Sequence, residues 1–218
     1  MGNPQYNGPM ALVLTVIGVL VVLLVAEHLA RHTNLHAELT RKFVHMIVGT
    51  FVAFWPFFLS WREIELLSLA FLAVIVISVK FTIFQSIHTV PRRAFGEISF
   101  AMVIGFLALF SSSAEIFMAA MLCLSLGDAL AAIIGLLYGE NNQYKVFGKV
   151  KSVAGTATFF VTAVLVMTLY VTLTSNSASL MNLFIIPVLA TITENVAVNG
   201  ADNLIMPLLV ALLLGGTA

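Results

Sequence analysis

Asp128 and Glu194 are carboxylates placed inside long apolar runs of a 218-residue chain. An ionisable side chain in such a run is expensive, and it marks a functional position by default. Asp128 needs a cation, a proton or a metal beside it. It opens the stretch Gly127-Asp128-Ala-Leu-Ala131-Ala-Ile-Ile-Gly135-Leu-Leu-Tyr-Gly139. Small residues recur there every fourth position and form a helix face that a neighbouring backbone can approach closely. Glu194 opens Glu194-Asn195-Val-Ala-Val-Asn199-Gly200-Ala-Asp202-Asn203. If one helix ran through this stretch, Asn195, Asn199 and Asp202 would follow i, i+4, i+7, with Gly200 near its end. Carboxylate and amide oxygens suit a hard cation such as Mg²⁺, which takes one or two carboxylates plus substrate phosphates. No His/Cys set has zinc spacing, and the single cysteine, Cys123, excludes an intrachain disulfide.

Three further clusters are cationic. In Arg41-Lys42-Phe-Val-His45 the three polar residues share one helix face at i,i+3 and i,i+4 spacing. Cations at a helix start oppose the macrodipole, and an anionic ligand there would remove that penalty. An interfacial belt with a snorkelling lysine is the plainer reading of the same residues. In Pro91-Arg92-Arg93-Ala-Phe-Gly96-Glu97, Arg93 and Glu97 stand at i,i+4. In Gly148-Lys149-Val-Lys151-Ser152-Val-Ala-Gly155-Thr156, Ser152 is a candidate N-cap. Its free N–H groups, two lysines, Ser152 and Thr156 make a phosphate cradle. This is not the G-x-x-x-x-G-K-[ST] loop of P-loop nucleotidases.

The elements that must position these groups follow from composition. Hydrophobic residues make up 61% of the chain, charged residues 9%, and the mean hydropathy is +1.07. Soluble domains carry about 25% charged residues, so a soluble globule, a disordered chain and a basic nucleic-acid-binding module are excluded. A bilayer crossing takes roughly 20 apolar residues. Eight candidates result: Pro9–Ala30, Phe43–Trp61, Leu66–Phe84, Ile98–Ser113, Ile116–Tyr138, Val153–Thr174, Leu180–Val198 and Asn203–Leu214. The expected fold is an all-α polytopic membrane protein of seven to eight transmembrane helices, one integral domain over residues 1–218.

With the N-terminus outside, the inner loops carry nine Lys/Arg residues and the outer loops only Arg62. The positive-inside rule then places Glu97, Glu140, Glu194 and Asp202 at inner ends as well. Nearly all the ionisable groups collect at the cytoplasmic face, where nucleotides are available.

Taken in order, R-K-x-x-H, R-R-x-x-G-E-I, G-D-x-x-A-x-x-x-G, K-S-x-x-G-T and E-x(7)-D-N-x-x-x-P resemble the membrane CTP-dependent lipid kinases. That family comprises dolichol kinase, phytol kinase and CTP-dependent diacylglycerol kinase. Bacterial relatives are often described as phosphatidate cytidylyltransferase-like. The resemblance runs from about Glu38 to Pro207. One departure is Ala101, where many relatives have proline. The chain is nearest in size to the phytol-kinase type.

The resemblance implies that the Gly127–Gly139 helix, with Gly127 and Gly135, and the loop bearing Lys149, Lys151, Ser152, Gly155 and Thr156 bind CTP. The expected reaction is attack of a membrane lipid alcohol on the γ-phosphate. Phosphoryl transfer depends mostly on positioning and charge neutralisation. Asp128 and Asp202, supported by Glu194, are expected to hold Mg²⁺. Lys42, Arg92, Arg93, Lys149 and Lys151 are expected to hold phosphates. Glu97 or His45 is expected to take the hydroxyl proton. Cytidylyl transfer to phosphatidate would use the same groups but attack the α-phosphate. A small transporter is the alternative outside enzymes, and the chain lacks the inverted repeat that would favour it.

Overall fold

The computed structural model describes residues 8–32, 37–81, 94–174, 179–198 and 200–216. The described chain is all-α apart from one hairpin. The helices are α1 (Gly8–His32), α2 (Ala37–Ala53), α3 (Trp61–Phe81), α4 (Ala94–Phe110), α5 (Ala114–Leu122), α6 (Asp128–Tyr138), α7 (Val153–Thr174), α8 (Ile186–Val196) and α9 (Asp202–Gly215). Between α6 and α7, strands β1 (Gln143–Val146) and β2 (Lys149–Ser152) pair antiparallel, with Tyr144 opposite Lys151 and Val146 opposite Lys149.

Among the described residues, each of the eight apolar runs overlaps a helix. Two continuous helical stretches, Ala114–Tyr138 and Val153–Thr174, are long and apolar enough to cross a membrane, and several shorter apolar helices accompany them. Helix and apolar run differ at their ends. α2 begins at Ala37, six residues before the expected Phe43, because Glu38, Leu39, Arg41 and Lys42 are good helix formers even though they are not all apolar. It stops at Ala53, and Pro56 sits in a separate 3₁₀ turn, Trp55–Phe57.

The core forms around α5. Residues Ile116–Leu122 are all buried, and α5 packs on α2, α7 and α9. Ser113 caps it, its hydroxyl accepting from the Ile116 N–H at 3.3 Å. α3 starts with a capping box: the Ser60 N–H and hydroxyl both donate to the Glu63 carboxylate, and the Glu63 N–H returns to Ser60. α3 and α4 pair closely at Gly105, where an added Cβ would lie 2.6 Å from Ser68 Oγ.

Two features position the functional end. Cys123–Gly127 forms a π turn joining α5 to α6, so Asp128 follows a local widening of the helix. Such turns occur frequently at functional sites. The second feature is the break between α8 and α9, which falls near Gly200 as the sequence suggests. The helix carrying Glu194 does not continue to Asp202: α8 ends at Val196, Gly200 turns the chain at φ +85°, and Asp202 opens α9. The i, i+4, i+7 relation of Asn195, Asn199 and Asp202 is therefore absent, and Asn199 lies outside the described residues.

Candidate active site

The starts of α2, α6 and α9, the end of α8 and the hairpin meet at one end of the bundle, around a cavity of about 610 Å³. Its wall carries four cationic residues, Arg41, Lys42, Lys149 and Lys151, and three carboxylates, Asp128, Glu194 and Asp202. One ligand oxygen from each carboxylate lies within 4.8 Å of the others. The turn at Gly200 produces this convergence by placing the start of α9 beside the end of α8.

The three lysines have definite places. Lys42 Nζ forms a buried ion pair with Asp128. Lys151 Nζ pairs with Glu194 and also donates to the Glu194 carbonyl at 3.3 Å. Lys149 Nζ donates to the Ala197 carbonyl at 3.2 Å. Two hairpin lysines thus occupy the C-terminal carbonyls of α8, where the helix dipole favours positive charge. Asp202 differs from its neighbours: its Oδ1 is buried with no hydrogen-bond partner.

The small-residue face of α6 serves packing. A Cβ at Gly155 on α7 would meet the Ala131 carbonyl at 2.8 Å, and one at Gly135 would meet Ser152 Oγ at 3.0 Å. A Cβ at Gly127 would meet the Phe159 ring at 2.9 Å. Gly135 and Gly155 also line the cavity, so close helix packing forms part of its wall. Ser152 caps α7, its hydroxyl accepting from the Gly155 N–H at 3.1 Å. The Thr156 hydroxyl meets Tyr144 Oη and Asn195 Oδ1.

The other expected residues are placed differently. His45 stands behind Asp128, with Nε2 3.8 Å from Oδ2 and its ring against Phe100. It does not line the cavity, and neither does Glu97. Both Glu97 carboxylate oxygens are buried without a hydrogen-bond partner, one residue beyond the wall glycine Gly96. Arg92 and Arg93 lie outside the described residues. Asn203 donates from its amide to the Gly96 carbonyl at 2.8 Å and so ties α9 to α4.

Sequence reasoning missed Tyr144 and Asn142. Tyr144 Oη donates to Asn195 Oδ1 at 2.5 Å, joining the hairpin to α8. Asn142 donates to the Tyr138 carbonyl and accepts from the Ala154 N–H, closing the end of α6 and the start of α7 with one side chain. The available signal was Gly148 between the short runs Gln143–Val146 and Lys149–Ser152.

No protein-family model and no solved structure matches the chain. Phytol kinase of Synechocystis sp. (strain ATCC 27184 / PCC 6803 / Kazusa) is 33% identical over 226 aligned residues, covering 95% of this chain and 94% of that protein. The similarity spans all the clusters that build the cavity. The chain therefore belongs to the CTP-dependent lipid kinase family, and it is a kinase, a phosphotransferase with an alcohol acceptor.

Proposed function

We propose that the chain is a multi-pass membrane enzyme that transfers the γ-phosphoryl group of CTP to a membrane lipid alcohol at the cytoplasmic face. The acceptor class is phytol, a polyprenol such as dolichol, or diacylglycerol. The observation that carries this reading is the convergence of Asp128, Glu194 and Asp202 within 4.8 Å, in a wall that also holds four cationic residues. A triphosphate needs cations, and the divalent ion that accompanies it needs carboxylates.

The residues fit Mg²⁺. Three carboxylates supply hard oxygen donors, and Asp202 Oδ1 is buried and otherwise unpartnered. Asp128, Glu194 and Asp202 would hold the ion, whose contribution when bound is to neutralise charge on the phosphates. Lys42 and Lys151 already touch two of these carboxylates, so they sit where phosphate oxygens would arrive. Lys149 completes the cationic side from the hairpin.

The acceptor hydroxyl must lose its proton as the bond to phosphorus forms. Glu97, beside Gly96 of the wall and without a hydrogen-bond partner of its own, is the better placed of the two expected bases. His45 is packed behind Asp128, its Nε2 3.8 Å from that carboxylate and without a hydrogen bond to it. Gly135, Gly155, Ser152 and Thr156 shape the neutral part of the cavity against which the nucleoside would lie.

The test is incubation of purified protein with Mg²⁺, γ-labelled CTP and separate panels of long-chain alcohols and diacylglycerol. Labelled lipid phosphate with release of CDP is the expected result. Release of pyrophosphate with phosphatidate would instead establish cytidylyl transfer. Equal rates with ATP would remove the assignment of CTP.

A further inference from the structure

The hairpin between α6 and α7 carries an aromatic residue where its backbone disfavours one. The two-residue turn is Phe147-Gly148, with φ of 47° at Phe147 and 79° at Gly148. A left-handed pair of this kind is the province of Asn-Gly and Gly-Gly, because a side chain at the first position crowds its own carbonyl. The Phe147 side chain gains no compensating burial inside the protein: it is 76% exposed, the most exposed large hydrophobic side chain among the described residues. A strained position with an outward aromatic indicates that the side chain acts outside the fold.

The surroundings of the hairpin indicate what it meets. α7 starts one residue after β2 and presents Val153, Ala157, Val161, Leu165, Leu169 and Leu173 outward at every fourth position. This exposed apolar stripe runs the full helix, about 33 Å at 1.5 Å per residue, against roughly 30 Å for a hydrocarbon layer. If α7 crosses the bilayer, Val153 lies at its border and the hairpin lies at headgroup depth. Lys149 and Lys151 hold the hairpin down against the end of α8, so it does not stand away from the bundle. Exposed Leu137 and Tyr138 at the end of α6 add to the apolar surface, and exposed Lys145 supplies a cation beside it. Aromatic and lysine side chains together are the composition of a membrane interface.

We propose that this hairpin is a lipid-binding foot: Phe147 enters the boundary between headgroups and acyl chains of the leaflet that borders the cavity, with Lys145 against anionic headgroups. The partner surface is the bilayer itself, and the proposal rests on the reading of α7 as membrane-spanning. Because β2 also carries Lys149 and Lys151, contact with lipid would hold the cationic wall of the cavity in register with the surface from which the acceptor arrives.

Site-directed spin labelling of the full chain tests this in vesicles of phosphatidylcholine and phosphatidylglycerol. Buried Cys123 is first replaced by alanine. Single cysteines are then introduced by Phe147→Cys, Leu165→Cys and Glu140→Cys, and each nitroxide is relaxed in turn by oxygen and by a water-soluble nickel chelate. The expected result is a change of sign along the chain: oxygen dominates at positions 147 and 165, and the chelate dominates at position 140. Chelate dominance at 147 with oxygen dominance at 165 overturns the foot and leaves the membrane reading intact. Chelate dominance at 165 overturns the membrane reading itself. A label at 147 that neither reagent reaches points to a protein partner and also overturns the foot.

Discussion

Lys151 grips Glu194 twice, through the carboxylate and through the backbone carbonyl of the same residue. One side chain thereby fixes β2 to the end of α8 and sets both a cation and a carboxylate on the cavity wall. Lys151→Gln should weaken CTP binding by roughly one to two decades, the equivalent of about 1.5–3 kcal/mol for a lost charge-assisted bond. Lys145→Gln, at an exposed position of β1 outside the cavity wall, should affect it much less. Titration of initial rate with CTP at fixed Mg²⁺ and lipid compares the two. Equal behaviour of the pair would remove Lys151 from the phosphate site.

Asp128 and Asp202 should separate by their effect on stability. Asp128→Asn and Asp202→Asn should each lower turnover by roughly 10²–10⁴-fold. Only Asp128→Asn leaves a buried lysine without its counter-charge, a loss of about 3–5 kcal/mol for a broken buried pair. Asp202 Oδ1 has no such partner to strand. Thermal unfolding in detergent, measured beside turnover, should therefore show destabilisation in the first variant alone.

The glycine contacts give a test that involves no chemistry. Gly200→Ala would set a Cβ 2.5 Å from Gly96 Cα, at a residue with φ +85°. Gly155→Ala would push against the Ala131 carbonyl. Both should destabilise by about 1–3 kcal/mol, and Gly200→Ala should be the worse because neither contact partner nor backbone can yield. Gly215→Ala, with nothing near its added Cβ, is the control and should unfold at the wild-type temperature.

Sidedness is checked by accessibility. With Cys123 removed, a cysteine at position 145 should react only with reagent admitted to the cytoplasmic side, and one at position 63 only from outside. The basis is the nine-to-one distribution of Lys and Arg between the two sets of loops. Labelling at 145 from outside alone would reverse the orientation.

The apolar runs were legible because a stretch of some twenty hydrophobic residues is the strongest signal a chain can carry. The carboxylates were legible for the complementary reason, as charges out of place in that background. What they touch was not legible. Lys42 and Lys151 read from the sequence as phosphate ligands, and the fold sets each on a carboxylate. Those pairings join residues 86 and 43 positions apart, and no local pattern encodes them. The π turn before Asp128 leaves no compositional trace, since Cys123–Gly127 looks like ordinary apolar helix. Tyr144 and Asn142 escaped because a polar residue in a short loop is unremarkable until its partners are known. The helix end near Gly200 was legible, but that its left-handed turn brings Asp202 back beside Glu194 was not, since periodicity says nothing of where the next helix points.

The ion pair between Lys42 and Asp128 also bears on how the protein is made. The chain emerges from the ribosome N-terminus first, at about 5–20 residues per second. Lys42 is therefore committed to its helix roughly 4–17 s before Asp128, 86 positions later, has been synthesised. Through that interval the α2 ammonium lacks the Asp128 carboxylate, and if α2 enters the membrane it has reason to stay near the surface or against the insertion machinery. Final seating of the second helix then waits for arrival of the sixth, which makes biogenesis of this small enzyme an ordered process. Pulse-labelled chains truncated before and after residue 128 should differ in the depth at which α2 comes to rest.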